Sequence, residues 1–184
     1  MNKHYTIGST MPLALLMAGV VIMSPVLKAA EVPDSEQVSK LLSEAKTMAF
    51  QLKEDAETME SFTRSSTTWE GHAVAINQIK EHVNALGRQV AKLKDAKNTA
   101  SPWQKTAIDR INPFMDELAG YTEAAIEHLN KHPKLLTTAE YKDYLEANAD
   151  YAGDLASTIA NFVDYGRTKQ RLERLTDKLE LPAR

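Results

Sequence analysis

The amino-acid sequence predicts an all-α protein, an up-down-up-down antiparallel four-helix bundle with a long fourth helix. Three observations favour this fold: four repeated helix-start motifs, one apolar stripe after each motif, and short connections between the stripes. No segment shows the alternation of apolar and polar residues that is typical of a half-buried strand. We therefore expect helices over about 35–63, 68–97, 102–132 and 138–180.

Each helix-start motif has the pattern of a capping box. The motifs are Asp34-Ser-Glu-Gln37, Thr67-Thr-Trp-Glu70, Ser101-Pro-Trp-Gln104 and Thr137-Thr-Ala-Glu140. In such a box the first side chain accepts a hydrogen bond from a free backbone N–H, and the Glu or Gln three positions later reaches back. Pro102 occupies the first helical position, which suits proline best.

Apolar residues after each motif recur at steps of three and four, which is the period of a helix that buries one face. The first helix repeats Val38, Leu41, Ala45, Met48, Leu52, Met59 and Phe62. The second repeats Trp69, Ile76, Ile79, Val83, Leu86, Val90 and Leu93. The third repeats Ile108, Ile111, Met115, Leu118, Ala125 and Leu129, and the fourth Tyr141, Leu145, Ala152, Leu155, Ile159 and Phe162.

The connections, at about 63–66, 98–100 and 133–136, are short enough to place consecutive helices in opposite directions. Tetratricopeptide repeats have a similar period of about 34 residues, but they break into shorter helices than these unbroken stripes allow. Pro113 predicts a kink in the third helix. The fourth helix would be about 64 Å long against about 42 Å for its partners. It must therefore break near Gly166 or extend beyond the bundle.

Residues 1–30 have the features of a secretory signal peptide. They contain Lys3, a mostly apolar run over 11–27, then Lys28-Ala29-Ala30, and no acidic residue. A basic start, an apolar centre and small residues at a boundary are typical of such a peptide. Cleavage there predicts a periplasmic or secreted protein.

The mature protein would be a single bundle domain over 31–184. The alternative is a membrane anchor through an uncleaved N-terminal segment, although an apolar run of about 17 residues is at the short limit for spanning a bilayer. Loss of the leader changes the formal charge from −3 to about −5. That balance argues against nucleic-acid binding. The absence of cysteine excludes disulfides, iron–sulfur clusters and covalent c-type haem.

Antiparallel neighbours allow distant residues to be assigned to one layer of the bundle. This assignment groups near one end Met59, Phe62, Trp69, His72, His128, Leu129, Tyr141 and Tyr144. One layer further in, it places Asp55 beside Asn148, with Thr122 close by. Asp55, His72, Thr122 and Asn148 all occupy stripe positions where an apolar residue is expected.

One hypothesis is a pocket for a small molecule, a non-covalent haem or a divalent metal, with His72 and His128 as ligands and Asp55 as a second carboxylate. Bundles do build such sites from facing helices, but the Glu-x-x-His signature of diiron sites is absent. His132, four residues after His128, precedes a proline at a helix end, where histidine more often interacts with the helix dipole. The alternative is that the buried polar groups only fix helix register.

Catalytic motifs are missing from the sequence. There is no glycine-rich phosphate loop, no Gly-x-Ser-x-Gly and no His-Glu-x-x-His. Adjacent carboxylates, such as Glu54-Asp55 and Asp116-Glu117, point in different directions on a helix and so do not form an acid–base pair. The sequence thus favours a non-enzymatic protein.

Trp69 and Trp103 stand just after helix starts, where we expect them to pack against the bundle ends.

The end of the fourth helix predicts a binding surface. Basic residues surround a thin stripe of Leu172, Leu175 and Leu179. Such a helix can bind a membrane surface or another helix. The predicted partner surface, for an envelope protein or a membrane, comprises Arg167, Arg171, Arg174 and Lys178. The alternative is a solvated helix end that folds back onto its own molecule.

Two phrases, Ser101-Pro-Trp-Gln-Lys-Thr-Ala-Ile-Asp-Arg-Ile and Asn161-Phe-Val-Asp-Tyr-Gly, resemble small exported helical proteins of environmental bacteria that have no assigned function. The resemblance covers about residues 40–180 and contains no catalytic motif. It implies an exported helical bundle and no mechanism.

Overall fold

A computed structural model of the protein describes residues 32–179, and the predicted signal peptide lies outside the described residues. The described chain is all-helical, without strands, and its four helices pack together. They are α1 (Glu36–Ser61), α2 (Trp69–Asp95), α3 (Pro102–Lys131) and α4 (Ala139–Lys178). Short 3-10 turns, Phe62–Arg64 and Ala96–Thr99, follow α1 and α2. Within 32–179, no helix is both long enough and apolar enough to cross a membrane.

The helices begin at the predicted motifs, but three of the four predicted caps are wrong by one residue. The N-caps of α1, α2 and α4 are Ser35, Thr68 and Thr138, not Asp34, Thr67 and Thr137. Ser101 caps α3 as predicted, with proline at the first position of the helix. In each of the three wrong cases the neighbouring residue is also a good cap, so the pattern alone could not choose between them.

The apolar faces of the four helices meet in one core, although on α1 the buried residues include Leu42 and Ala49, whereas Leu41 and Met48 of the predicted stripe are only half-buried. α1 packs against α2 and α4, and α3 packs against the same two helices. Burial of these side chains supplies the main stabilising free energy, about 1.5–3 kcal/mol for each large residue. The largest fully buried side chains are Tyr141, Leu42, Leu52, Met59, Ile79, Leu86, Leu93, Ile108, Ile111, Leu118, Leu129 and Leu145.

α4 is one continuous helix through Gly166, so of the two expectations the longer helix is found. From residue 170 to residue 179, which we call the α4 extension, every side chain is exposed except the half-buried Thr176. The extension therefore does not fold back onto the described protein. α3 likewise continues as a helix through Pro113.

Gly166 of α4 leaves room for the indole ring of Trp103 on α3. A Cβ atom at this position would lie 2.7 Å from Cη2 and 3.0 Å from Cζ2 of Trp103. Real Cβ atoms do not approach a ring so closely, because protein interiors are already close-packed. Glycine at 166 is therefore required for the indole to lie this close to α4 at the base of the extension.

Candidate functional site

Both predicted ligand histidines contact Tyr141 at one end of the protein. His72, near the start of α2, has its Nδ1 atom 3.0 Å from the Tyr141 hydroxyl. His128, near the end of α3, stacks on the tyrosine ring with centroids 4.8 Å apart. Phe62 adds an edge contact to the His72 ring. The structure thus groups these residues as the layer assignment predicts.

Burial determines the charge state of this cluster. It lowers the pKa of His72 and raises the pKa of Tyr141 above its usual range. Both side chains are consequently neutral at pH 7, because each charged form would lose its hydration. A neutral pair forms one hydrogen bond, which the hydroxyl donates when Nδ1 of His72 is unprotonated.

The second histidine is also engaged. His128 Nε2 donates to the carbonyl oxygen of Leu135 at 3.0 Å, which ties the end of α3 to the loop before α4. A haem or metal could therefore approach only the remaining ring nitrogen of each histidine. Within residues 32–179, no group of three or more His, Cys, Asp or Glu side chains is arranged to hold a metal ion.

A groove of about 220 Å³ opens beside His128. It is lined by Ala124, Glu127, His128, Lys131, His132, Glu140 and Tyr144. Its carboxylates already have partners, since Glu127 pairs with Lys131 and Glu140 accepts from the Tyr144 hydroxyl at 2.8 Å. The groove is thus a polar surface feature whose two carboxylates already bond to neighbouring side chains.

Thr122 and Asn148 form a buried pair between α3 and α4. The Thr122 hydroxyl donates to Asn148 Oδ1 at 3.0 Å, and Asn148 Nδ2 donates to the Tyr144 carbonyl at 3.2 Å. Buried polar groups with such partners specify which residues face each other, because any slip leaves them unbonded. This contact supports the interpretation of register rather than that of a pocket.

Asp55 lies apart from this pair. Its Oδ1 accepts from Gln78 Nε2 at 3.0 Å, and its Oδ2 lies 2.5 Å from His82 Nδ1. The second contact is close without being an aligned hydrogen bond, and it is an ion pair only when the imidazole is protonated. The expectation that Asp55 faces Asn148 and helps to form a pocket is corrected: the carboxylate joins α1 to α2 instead. The buried stripe of α1 runs through Leu52 and Ala56, so Asp55 lies beside the stripe and not in it.

The two tryptophans lie at the starts of α2 and α3. Trp69 Nε1 donates to the Leu129 carbonyl at 3.0 Å, yet the residue is 36% exposed and so covers the core from outside. Trp103 is half-buried against α4 and donates to Asp34 Oδ1 at 2.7 Å. Both close an end of the helix packing, but Trp69 is not a core residue.

Gln104 is a buried cross-link that the sequence pattern identified only as part of a cap. Its Oε1 accepts from the backbone N–H of Ser101 at 3.0 Å and from that of Ser35 at 2.9 Å. Its Nε2 donates to the Ser35 carbonyl at 2.9 Å and to Ser39 Oγ at 3.0 Å. One fully buried amide therefore joins the start of α3 to the start of α1.

Asp34 binds the base of the α4 extension. Lys169 Nζ lies 3.1 Å from Asp34 Oδ1, which also accepts the Trp103 hydrogen bond. Burial raises the pKa of Asp34, but Ser101, Lys169 and Trp103 outweigh it, so the pKa lies below its usual value. Asp34 Oδ2 and Ser101 Oγ are buried without an aligned hydrogen bond. Asp34 directly precedes the α1 cap, and its ionised carboxylate thus contacts α3 through Trp103 and α4 through Lys169.

The exposed stripe on α4 comprises Tyr165, Leu172, Leu175 and Leu179. Leu172 is 64% exposed, Leu175 45% and Leu179 61%, unlike any leucine of the core. Of the predicted cationic surface, Arg167 pairs with Asp164 across one turn. Within the described chain Arg171, Arg174 and Lys178 make no ion pair. The extension therefore presents leucines and unpaired cations together.

No protein-family profile, curated protein or solved structure matches this chain significantly. The resemblance to small exported helical proteins therefore stays a prediction.

Proposed function

We propose that this protein is an exported, non-enzymatic binding module, an up-down-up-down antiparallel four-helix bundle that binds another protein of the cell envelope through the α4 extension. The observation that carries the proposal is the row of exposed leucines on a helix that continues beyond the packed core. Three large apolar side chains in a short exposed segment are unusual on a monomer unless they mark an interaction site.

Contacts between helix ends support the antiparallel arrangement. The start of α2 meets the end of α3 where Trp69 bonds to Leu129. The start of α1 meets the end of α2 where Gln89 Nε2 donates to the Leu41 carbonyl at 3.1 Å. Helices joined in sequence and paired start to end run in opposite directions.

The state of the polar groups supports a non-enzymatic role. General acid–base and nucleophilic catalysis need a reactive side chain that can reach a substrate. In the described chain the buried His72, Thr122 and Asn148 bond to other protein groups. Their contacts are explained by packing and register, without a substrate.

Site-specific photo-crosslinking in the native host tests the proposal. A photoreactive residue replaces Leu172, and the matched control replaces Val74, which is 68% exposed on α2. We expect an adduct of one defined mass at 172 and none at 74. A protein that gives no adduct at 172, or the same adducts at both positions, would rule out binding through the extension.

A further inference from the structure

We infer that the partner of this surface is an amphipathic helix with acidic residues beside its apolar face, and that one of its apolar side chains enters an aromatic notch at the base of the extension. This inference rests on the proposed function, because it names the partner of the same surface. It follows from the width of the stripe, from the charges beside it and from the shape of the notch.

The stripe has the spacing of a coiled-coil seam. Tyr165, Leu172 and Leu179 recur every seven residues, with Leu175 three positions after Leu172. A seam of this kind is narrower than the apolar face by which a helix lies on a membrane. It is matched by one helix that places its own apolar residues between these leucines. The stripe therefore favours a protein helix over a lipid surface.

The charges beside the stripe select an acidic partner. Arg171 and Lys178, seven residues apart, lie next to the leucines on one side, and Glu173 and Asp177 lie further round the helix. In paired helices, residues in these flanking positions face the flanking residues of the partner and determine which helices pair. Glu or Asp there would attract Arg171 and Lys178, whereas Lys or Arg would repel them.

The same charges disfavour a second copy of this chain as the occupant. An antiparallel pair of α4 extensions would bring Arg171 of one copy close to Lys178 of the other, and like charges in this position oppose association. Neither Arg171 nor Lys178 forms an ion pair with a described acidic residue, so no such pair reduces this repulsion. An antiparallel second copy thus fits the extension less well than a helix with acidic flanking residues.

The stripe continues into the aromatic notch, which we define by Trp103, Phe162 and Tyr165. The notch lines a groove of about 390 Å³ between α3 and α4, with Arg110 at its edge. The indole and phenol rings meet edge to face at 5.4 Å, which leaves an apolar wall open to solvent. Arg110 makes no ion pair within the described residues. Like Arg171 and Lys178, it would therefore attract an acidic residue of the partner, here one beside the apolar side chain that enters the notch.

Two synthetic helical peptides test the inference. Both carry leucine at the seam positions of three heptads, and they differ only in having Glu or Lys at the flanking positions. Their dissociation constants are measured by fluorescence anisotropy at low salt. We expect the Glu peptide to bind about tenfold more tightly than the Lys peptide, since two or three exposed charge pairs change sign. Tyr165→Ala should weaken the Glu peptide several-fold, because the notch loses one wall.

Charge-reversal variants provide the control. Arg171→Glu with Lys178→Glu should reverse the preference between the two peptides, and the equally charged Lys80→Glu with Lys94→Glu on α2 should leave it unchanged. Equal affinity for both peptides, or an equal effect of the two double variants, would overturn the inference. So would a dimer in sedimentation, or binding to phosphatidylglycerol vesicles but not to the Glu peptide.

Crosslinking separates the two proposals. If an adduct forms at position 172 but the Arg171→Glu, Lys178→Glu variant forms it equally well, the proposed function stands and the acidic partner is rejected. If no adduct forms at 172, the proposed function itself fails. Far-UV circular dichroism of each variant verifies that the helices are retained.

Discussion

Replacement of Gln104 by methionine tests whether one amide holds the starts of α1 and α3 together. Methionine has a similar volume and fills the same space without hydrogen bonds. The variant leaves the N–H groups of Ser101 and Ser35 without their acceptor and removes two further bonds that the amide donates. Each buried group left unbonded costs about 1–3 kcal/mol. We expect the free energy of unfolding to decrease by about 2–5 kcal/mol, since water can reach some of the half-buried groups.

Urea denaturation followed by far-UV circular dichroism measures this change. With a slope of about 2 kcal/mol per molar urea, the midpoint should fall by about 1–2.5 M while the slope stays the same. Gln78→Met is the matched control, because Gln78 makes an exposed hydrogen bond to Asp55 and its loss should cost only about 0.5 kcal/mol. If Gln104→Met costs no more than Gln78→Met, the amide is not the cross-link described above.

Further variants test the core and the α4 contact. The pKa of buried His72 lies below its usual value of 6.5, so the free energy of unfolding should decrease as the pH falls through about 6.5 and level off below the folded pKa. His72→Asn retains an acceptor for the Tyr141 hydroxyl and should flatten this dependence in urea titrations from pH 7.5 to pH 5; an unchanged profile would contradict the assignment. Gly166→Ala should destabilise by about 1–3 kcal/mol through its clash with the indole, whereas Gly120→Ala, which meets nothing within 4 Å, should stabilise by up to about 1 kcal/mol in thermal melts. Thr122→Val should cost about 1–3 kcal/mol by leaving Asn148 Oδ1 unbonded. Adding Asn148→Leu should cost less than the sum of the single changes, and strict additivity would show that the two residues are not coupled.

The sequence pattern predicted the four helices because each has a start signal and a periodic apolar face. The ends of α1 and α2 were predicted about two residues too late, since both helices pass into 3-10 turns that the pattern does not distinguish. The caps were uncertain by one residue wherever two good capping residues stand together, as Asp34 and Ser35 do. Asp34 proved instead to bond to Trp103 and Lys169.

The candidate site was predicted correctly only where the position of a residue along its helix is enough to determine its contacts. Layering brought His72, His128 and Tyr141 together correctly. It misplaced Asp55, because Ala56 and not Asp55 occupies the buried stripe of α1, and the layer assignment gives height along a helix but not the side that a residue faces. The role of Gln104 was missed because its partners on α1 are more than 60 residues away. A buried Gln at the third position of a helix, opposite another helix start, is the signal that could have found it.

An isolated peptide as short as the α4 extension would not remain helical in water, because forming the first turn costs more than a few added residues recover. In this protein the packed part of α4 has already formed that turn, and each later residue only lengthens an existing helix. The extension is thus ordered in advance, although its amides lack the shielding of tertiary packing and should exchange hydrogen rapidly. A partner helix would bind a segment that is already helical, so association would cost little backbone conformational entropy. Binding of the partner would then be detected as slower hydrogen exchange of those amides.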